Sequence, residues 1–494
     1  MKSIVLCLGL VCAAGTAAAQ QRVPATLSLT DALAIARDHN PVYRQTLNNR
    51  GPAAWATRNA FANLLIPQVT AQGSLGYSGT GSQRFLTSNF SQSYATVSSS
   101  YSLGLDWTLS GSTLSQPGLQ KAQLTAADAD IDGARATLDA GVTQQYLTVL
   151  QARDNVGVAE QLLARDQEFL RLAQARYDVG QATLIDVRQA QVALGQARVG
   201  LLRAQTTQRV EKLRLFEQMG VSAPTVVDSV QLTDTFAIQS PAWKLEELLT
   251  MAEAQNPSLA ALRARERSSS WGVKAAASSW GPTLSLSAGW SGFTQAFAKT
   301  GDLNQVILSS QLQAGQEYNG CQENNTIRTT SGLTALDCSG FVWTASQEQA
   351  LRSQNDIFPF NFIGQPFQAR LTVTLPLWTN FQQSQQVAVA KSQHQDMEEG
   401  VRARALGLQT EVSQAYYTLQ TAYQAVGIQD TNRVVGGEQL QLATDRYKVG
   451  SGTFFELLDA QVTALRAETD YISAVYDYHK AVAALEAAVG RRLR

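Results

Sequence analysis

One unusual segment occurs twice in this chain of 494 residues. Residues 176–191 read RYDVGQATLIDVRQAQ, and residues 446–461 read RYKVGSGTFFELLDAQ. At this constant offset of 270, about ten of the twenty-one residues from 172 to 192 are identical to their copies. Identity of that extent at a fixed spacing is typical of an internal repeat. The chain is therefore predicted to fold as two related halves.

The first residues predict a secretory signal peptide over residues 1–19. Lys2 supplies a positive start, residues 4–14 are apolar, and residues 17–19 are alanines that suit a cleavage site. A membrane anchor is the alternative, but about eleven residues at 1.5 Å each reach only about half way across a bilayer. The mature chain is expected to begin near Gln20.

The composition is unusual for an exported soluble protein. Charged residues make up 16% and apolar residues 44%, whereas ordinary soluble domains have about 25% charged residues. The formal net charge is −1, so electrostatics gives no reason to expect nucleic acid as a partner. No run of about 18 apolar residues follows the predicted signal peptide, which excludes a conventional transmembrane helix. If this chain enters a membrane, it must do so as strands.

Four segments alternate apolar or small residues with polar ones, at about 68–79, 95–109, 283–293 and 367–378. Their length and period are typical of a strand that crosses a bilayer with one face to lipid and the other to water. A half-buried sheet in a soluble sandwich is the alternative, and it becomes less favoured when an exported chain carries two such segments in each half. Because small barrels need about eight strands and lipid does not tolerate an open sheet edge, the four strands are expected to be completed by other copies of the chain.

Long helices are predicted between the strand pairs. Residues from about 118 to 178 and from about 383 to 448 contain no proline and are rich in good helix formers. Each helix would run about 90 Å at 1.5 Å per residue and end at Val-Gly. A returning helix would then start at a capping threonine, Thr183 or Thr453. The two predicted helical hairpins cover about 118–219, with the tip at 179–183, and about 383–490, with the tip at 449–453.

The order of the elements is the same in both halves. Each half opens with a short helix that ends at Asn-Pro, at Pro41 and at Pro257. A further helical segment, two strands, a long helix, the Val-Gly turn and the returning helix follow. The first repeat is predicted to cover residues 20–235 and the second residues 236–494.

The tandem halves, the Asn-Pro boundaries, the strand pairs and the Tyr-x-Val-Gly-x-x-Thr-x-x-(Asp/Glu) turns together resemble the TolC-like outer-membrane efflux family, over essentially the whole mature chain. The resemblance implies an α+β membrane protein, a homotrimer whose twelve strands form one outer-membrane β-barrel, continuous with a long α-helical barrel in the periplasm. It implies contact with outer-membrane lipid, with a periplasmic adaptor protein and with an inner-membrane pump driven by protons or ATP. The chain would then be the gated exit duct of a tripartite efflux or type I secretion system, and neither an enzyme nor a cofactor protein.

The repeated turns are the first candidate site. The resemblance places Val179, Gly180, Val449 and Gly450 at periplasmic tips where family members meet their adaptor. Local turn chemistry alone also explains the glycines, so the docking role rests on the resemblance.

The acids just beyond the turns are the second candidate site. Glu456 and Asp459 are three residues apart and share a helix face, so a threefold assembly would stack them as two acidic rings. The resemblance implies that these acids line the periplasmic aperture, and that Asp186 links to Tyr447 to hold the gate shut. The alternative is a solvated helix start, where acids interact favourably with the helix dipole.

The chain departs from the family at Gly452, where members with the best-defined latch carry an arginine. Since glycine cannot form a salt bridge, that link is expected to be absent or to be taken over by Lys448 or Arg188.

Cys321 and Cys338 are the thiols that remain once the predicted signal peptide is removed. A disulfide between them is expected because exported chains meet an oxidising compartment. Both lie in a predicted extracellular loop at about 294–366, which would either constrict the channel mouth or decorate the surface. Its first-half counterpart, at about 79–94, is much shorter.

Two other classes of protein stay open at this level. One is a periplasmic coiled-coil structural protein without a pore. The other is a secreted hydrolase, which is disfavoured because no nucleophile motif, phosphate-binding glycine loop or catalytic carboxylate pair occurs in a suitable setting. The histidines, His39, His394 and His479, lack the spacing of metal ligands, and no metal site is predicted.

Overall fold

The computed structural model describes residues 24–85, 88–92 and 94–493. The predicted signal peptide, residues 1–19, lies outside the described residues. The described chain divides into two compact units. The first unit comprises the part up to Thr57 together with Gly118–Val273 and Ala388–Arg494, and the second comprises Arg58–Pro117 and Lys274–Val387.

The described residues form eleven α-helices, of which four are long. In chain order the helices are α1 (Leu29–His39), α2 (Pro41–Asn48), α3 (Arg50–Leu65), α4 (Gly111–Asp178), α5 (Leu184–Met219), α6 (Leu245–Gln255), α7 (Pro257–Ala277), α8 (Thr300–Thr330), α9 (Ala345–Asn355), α10 (Gln382–Lys448) and α11 (Phe454–Val489).

Nine β-strands lie between them in the described residues. These are β1 (Thr26–Leu27), β2 (Gln68–Ser78), β3 (Gly81–Phe85), β4 (Ser88–Gln92), β5 (Thr96–Leu109), β6 (Gln231–Leu232), β7 (Thr283–Phe297), β8 (Ile363–Gly364) and β9 (Gln368–Thr374).

The first unit is built on two helical hairpins, α4 with α5 and α10 with α11. The 68 residues of α4 correspond to a helix of about 100 Å. Three clusters of buried apolar residues lie along these helices. The first is centred on Tyr146, whose hydroxyl donates to the Leu27 carbonyl in β1 at 2.9 Å. Burial in these separate clusters stabilises hairpins that are too long to share one core.

The Asn-Pro boundaries fasten the short helices to the ends of the returning helices. The side-chain amide of Asn40 donates to the Gln218 carbonyl at 2.8 Å, and that of Asn256 donates to the Ala488 carbonyl at 2.8 Å. Each amide oxygen also accepts a backbone N–H from the first turn of the next helix. The proline therefore ends one helix and occupies the first position of the next, α2 or α7, where its missing N–H costs nothing.

The second unit contains an antiparallel sheet in the order β2, β5, β7, β9, with β8 paired to β7 beside β9. The register pairs apolar positions on one face, for example Leu103 with Trp290 and Leu284 with Val373. Strands β2 and β9 are exposed over their whole length. Each of them pairs on one side only among the described residues. The sheet of one chain therefore has two open edges.

Helix α4 begins at Gly111, about two turns before the predicted start near residue 118. Pro117 directly precedes the predicted proline-free stretch, and a proline is disfavoured inside a helix, but it lies within α4. The hydroxyl of Ser115 donates to the carbonyls of Gly111 and Ser112, at 3.2 and 2.9 Å. The carbonyl that loses its helical donor to the proline is that of Thr113, four residues earlier.

The long insertion at about 294–366 is largely helical. It begins with the last residues of β7, contains α8 and α9, and ends with β8. Cys321 in α8 and Cys338 are joined by a disulfide with their Cα atoms 5.9 Å apart. The first-half counterpart carries β3 and β4, which pair as a short hairpin.

None of the described helices has an apolar stretch long enough to cross a lipid bilayer.

Candidate functional site

The first hairpin turn is closed by local backbone chemistry. Gly180 adopts φ = +78°, and its N–H donates to the Tyr177 carbonyl at 2.9 Å. The hydroxyl of Thr183 accepts the N–H of Asp186 at 3.3 Å, and the carboxylate of Asp186 accepts the N–H of Thr183 at 2.9 Å. This reciprocal capping box starts α5. The glycine is required because residues with a side chain rarely adopt that backbone conformation.

The second turn repeats this geometry. Gly450 adopts φ = +81°, and Thr453 caps α11 by accepting the N–H of Glu456 at 3.2 Å. The two valines of the turns are strongly exposed, Val179 by 69% and Val449 by 80%. The turn geometry accounts for the glycines, whereas it gives no reason for exposed apolar side chains beside them.

The two turns lie at the ends of hairpins that pack together. Phe169 and Ala173 of α4, Val187 of α5, Tyr447 of α10 and Phe454 of α11 belong to one buried cluster. Four helices therefore meet in one small core just behind the turns. Sequence reasoning placed the turns at equivalent positions of the two halves, but it could not show that they share a core.

Arg176 joins the end of α4 to the end of α10. One guanidinium nitrogen donates to the Tyr447 carbonyl, and the other donates to the Gln181 carbonyl at 3.1 Å. The guanidinium carbon also lies 4.6 Å from the centre of the Tyr447 ring, within cation–π range. This residue was missed as a site residue, although its recurrence as Arg446 in the repeated segment was a usable signal.

Tyr447 is held by its ring and not by its hydroxyl. The side chain is 3% exposed, and its ring packs edge-on against Phe454 at 5.4 Å. The hydroxyl has no hydrogen-bond partner in the described part of the chain. Burial, and secondly the negative charge of Asp186, raise the pKa of this phenol, with Arg176 acting in the opposite direction. The phenol therefore stays neutral.

The expected Asp186–Tyr447 link is not formed as a hydrogen bond. One carboxylate oxygen of Asp186 accepts the Thr183 N–H in the cap, and the Tyr447 hydroxyl has no partner among the described residues. Asp186 acts on Tyr447 through its charge alone.

Glu456 and Asp459 both lie on the exposed side of α11. An oxygen of Glu456 is 3.7 Å from a guanidinium nitrogen of Arg446. Asp459 forms no ion pair with any described residue. Two carboxylates with at most one close cation leave a local negative charge just beyond the turn.

Gly452 lies against the Arg446–Glu456 pair. A Cβ added at Gly452 would lie 3.2 Å from the Arg446 Cβ and 3.3 Å from a Glu456 carboxylate oxygen, so a longer residue would disturb this pair. The expected substitutes for the latch make other contacts: Lys448 pairs with Asp445 at 3.3 Å. Arg188 donates to Gln191 at 2.8 Å. Both contacts stay within one helix, and the contact between the hairpins comes from Arg176 instead.

A buried acid lies one turn before Phe169, farther from the tips. Asp166 is 4% exposed, and its carboxylate accepts a hydrogen bond from the side-chain amide of Gln461. Burial raises the pKa of Asp166 above its usual value. An exposed apolar groove of about 810 Å³ opens beside this pair, between α4, α5 and α11. Sequence periodicity gave no sign of this polar pair within an apolar surface.

An antiparallel sheet with open edges and a pair of very long helical hairpins also make up the fold of several solved outer-membrane channels. Among solved structures, the outer-membrane channel OprN is 17% identical, with 94% of this chain and 89% of that chain covered and a TM-score of 0.68. VceC of Vibrio cholerae is 17% identical, with 94% and 97% covered and a TM-score of 0.67. The MtrE channel of Neisseria gonorrhoeae, in its open state, is 18% identical, with 94% and 89% covered and a TM-score of 0.66. These likenesses establish the fold.

The family is established by the sequence itself. The family model described as outer membrane efflux protein matches residues 36–221 and 343–491, more than half of the chain. The chain belongs to the outer membrane efflux protein family, and the resemblance stated from its motifs is confirmed. Proteins of this family are outer-membrane channels that extend into the periplasm, and they are not enzymes. No curated protein matches the chain significantly.

Proposed function

We propose that three copies of this chain form a channel across the outer membrane. The observation that carries the proposal is the sheet with two open edges, β2 and β9, both exposed along their whole length. An open edge cannot persist in lipid because its backbone groups would lack hydrogen-bond partners. Pairing β2 of one copy with β9 of the next removes every edge, and three copies supply twelve strands, above the minimum for a barrel.

The exposed apolar side chains fit a lipid-facing surface. Leu75 and Tyr77 of β2 and Leu371 and Val373 of β9 are each more than 60% exposed. Side chains at alternate positions of a strand share one face. A surface of that kind is stable against outer-membrane lipid and unfavourable against water.

The four long helices of each copy continue the channel as a helical tunnel in the periplasm. A helix of about 100 Å is long enough to cross much of that compartment. Passage through a continuous tunnel requires no cofactor.

The hairpin turns serve as the gate of the tunnel. Three copies bring together three Glu456 and three Asp459 carboxylates, so the narrow end repels anions and binds cations. The closed state is held in each copy by Arg176 across the hairpins, with Tyr447 buried behind it and Asp186 fixing the start of α5.

The exposed turn residues are the docking site for an adaptor. Val179 with Gly180 and Val449 with Gly450 present apolar side chains on rigid, glycine-closed turns, which costs a partner little ordering entropy. The adaptor couples the duct to an inner-membrane pump, driven by protons or by ATP, in tripartite efflux or type I secretion. Movement of the turns by the adaptor opens the gate.

A cross-linking experiment tests the assembly. Cysteine at Gln72 of β2 is combined in turn with cysteine at Gln368, Arg370 or Thr372 of β9, and the membranes are oxidised before electrophoresis. At least one pair should give a covalent trimer that a reductant converts back to monomers. Matched controls carry cysteine at Ser102, in the interior strand β5, with the same three partners, and should stay monomeric.

A protein without a pore gives a different result. If every pair stays monomeric and the purified chain remains in water without detergent, the channel is rejected in favour of a periplasmic coiled-coil protein.

A further inference from the structure

A histidine and two glutamates meet where α7 packs against α10, away from the hairpin turns. The ring of His394 in α10 lies 3.7 Å, through Nδ1, from a carboxylate oxygen of Glu266 in α7. Through Nε2 the ring lies 3.7 Å from a carboxylate oxygen of Glu398, one turn along α10. One potential ligand atom from each of the three residues lies within 4.8 Å of the others.

A hydrogen bond between Ser269 and Nδ1 orients the ring of His394. The Ser269 hydroxyl donates to the Glu266 carbonyl at 2.7 Å, so its oxygen is left to accept from His394 Nδ1 at 3.0 Å. The proton of a neutral imidazole therefore lies on Nδ1, and Nε2 keeps its lone pair. Metal-binding histidines have this arrangement, in which a second hydrogen bond orients the ring and selects the nitrogen that binds the ion.

The two carboxylates are not paired with a basic residue other than the histidine in the part of the chain that the structure describes. Neither Glu266 nor Glu398 forms an ion pair with a lysine or arginine in the described ranges. The neighbouring Arg265 is engaged with Asp130 at 2.8 Å. Two carboxylates and an imidazole nitrogen together make a donor set that attracts a divalent cation.

We propose that Glu266, His394 and Glu398 bind a divalent transition-metal ion, and that the ion joins α7 to α10. Nitrogen and carboxylate ligands of this number suit Zn²⁺, which takes three protein ligands and one water at its open sites. Ligands at about 2.0–2.1 Å from one tetrahedral ion lie about 3.3 Å apart. The three ligand atoms now lie within 4.8 Å of one another. Rotation of the side chains can bring them to the shorter separation, since Glu398 is 58% exposed and His394 23%.

The sequence does not predict this metal site, because His394 is far along the chain from His39 and His479. The spacing that matters is His394 to Glu398, four residues apart on one helix face. The third ligand comes from a helix more than a hundred residues earlier in the sequence, which no local pattern could indicate.

The test uses the full protein purified from outer membranes in detergent, without a histidine tag. Zn²⁺ binding is measured by isothermal titration calorimetry after chelator treatment and dialysis. One saturable Zn²⁺ per chain is expected, together with a rise in the melting temperature, because an ion that binds only the folded state stabilises it. Co²⁺ in the same site should give the visible absorption of a tetrahedral complex.

Variants locate the site. His394→Gln should abolish the saturable binding, and Ser269→Ala should weaken it by about 10–100-fold through loss of ring orientation. Glu398→Gln changes an exposed side chain without risk to folding and should also weaken binding at least tenfold. His39→Gln is the matched control and should leave binding unchanged, since the His39 Nδ1 contacts the Ile35 carbonyl of its own helix.

Two results would overturn the proposal. One is the absence of saturable binding by the wild-type protein. The other is equal binding by wild type, His394→Gln and Glu398→Gln.

Discussion

Replacement of Arg176 by methionine should loosen the contact between the two hairpins. The guanidinium donates to the Tyr447 carbonyl and stacks at 4.6 Å from the ring of the same residue. Its other hydrogen bond, to Gln181, stays within the first hairpin. Methionine keeps much of the apolar length of the side chain and removes both contacts across the hairpins.

The free energy that Arg176 contributes to holding the two hairpins together follows from these two contacts. A hydrogen bond from a charged donor contributes about 1.5–3 kcal/mol, and an accessible cation–π contact about 0.5–1 kcal/mol. The Nε of Arg176 is buried without a hydrogen-bond partner among the described residues, which costs free energy in the wild type. The net contribution of the two contacts therefore lies near the lower end of their combined range, at about 2 kcal/mol. A loss of about 2 kcal/mol per chain corresponds to a shift of about 30-fold in an equilibrium, since 1.4 kcal/mol is a factor of ten.

The shift is measured as the fraction of time that single channels in a planar bilayer spend in a high-conductance state. Arg176→Met should raise the ratio of open to closed time by at least about 30-fold, which is the value for one chain, because all three chains of the trimer carry the change. Arg171→Met is the matched control, because Arg171 lies on the same helix and its ion pair, with Glu168, stays within α4. If folded Arg176→Met trimers keep the wild-type ratio within about threefold, Arg176 does not hold the gate.

Two further predictions concern acids of the hairpins. Glu456→Ala combined with Asp459→Ala should raise single-channel conductance and weaken block by divalent cations. The control Glu438→Ala, at an exposed acid of α10, should change neither property. If the double variant keeps wild-type conductance and block, Glu456 and Asp459 do not form acidic rings at the aperture. Because burial raises the pKa of Asp166, its contribution to stability is full below the usual aspartate pKa and is lost as the pH rises through the raised value. Asp166→Asn keeps an acceptor for Gln461 without the buried charge, so its melting temperature should exceed that of wild type at neutral pH, and by less in acid; a gap that does not depend on pH would contradict this account.

The strands could be read from the sequence because alternation with period two reflects which face of a strand is apolar. The segments at about 68–79 and 95–109 correspond to β2, Gln68–Ser78, and β5, Thr96–Leu109. The segment at about 367–378 gives a shorter strand, Gln368–Thr374. Pro376 follows soon after its end, and proline cannot donate to a sheet.

Helix α8 could not be read in the same way. Its 31 residues carry no apolar stripe, and only Leu303 and Ile307 are buried. A helix that is polar on all sides has no periodic signal, so the sequence predicts only a loop for this insertion. Local composition was decisive for α4 and α10, which are rich in helix formers, and was insufficient for α8.

The candidate site shows the same limit. The turns were predictable because their key residues act locally. Gly180 and Gly450 adopt the positive φ that closes each turn, and a threonine caps the helix that follows. The contact of Arg176 with Tyr447 was not predictable, since the two residues are 271 positions apart. Their meeting depends on how the hairpins pack, which is a tertiary property.

The repeated turns have similar sequences but different environments. Tyr177 is 41% exposed, whereas its copy Tyr447 is 3% exposed. Arg176 reaches across to the second hairpin, while Arg446 stays with its own turn. The second hairpin therefore supplies the buried ring and the first supplies the arginine that covers it. Each chain has one such contact and not two symmetric ones.

This asymmetry determines what opening must disrupt. Separation of the hairpins at the turns would break the Arg176 contact, at a cost of about 2 kcal/mol by the estimate above. It would also expose the ring of Tyr447, and transfer of an aromatic side chain to water costs about 1.5–3 kcal/mol more. The two costs are of similar size. Arg176→Met alone should thus raise the open fraction without locking the channel open, and sustained opening requires a further source of free energy, which docking of the adaptor at the exposed turns would supply.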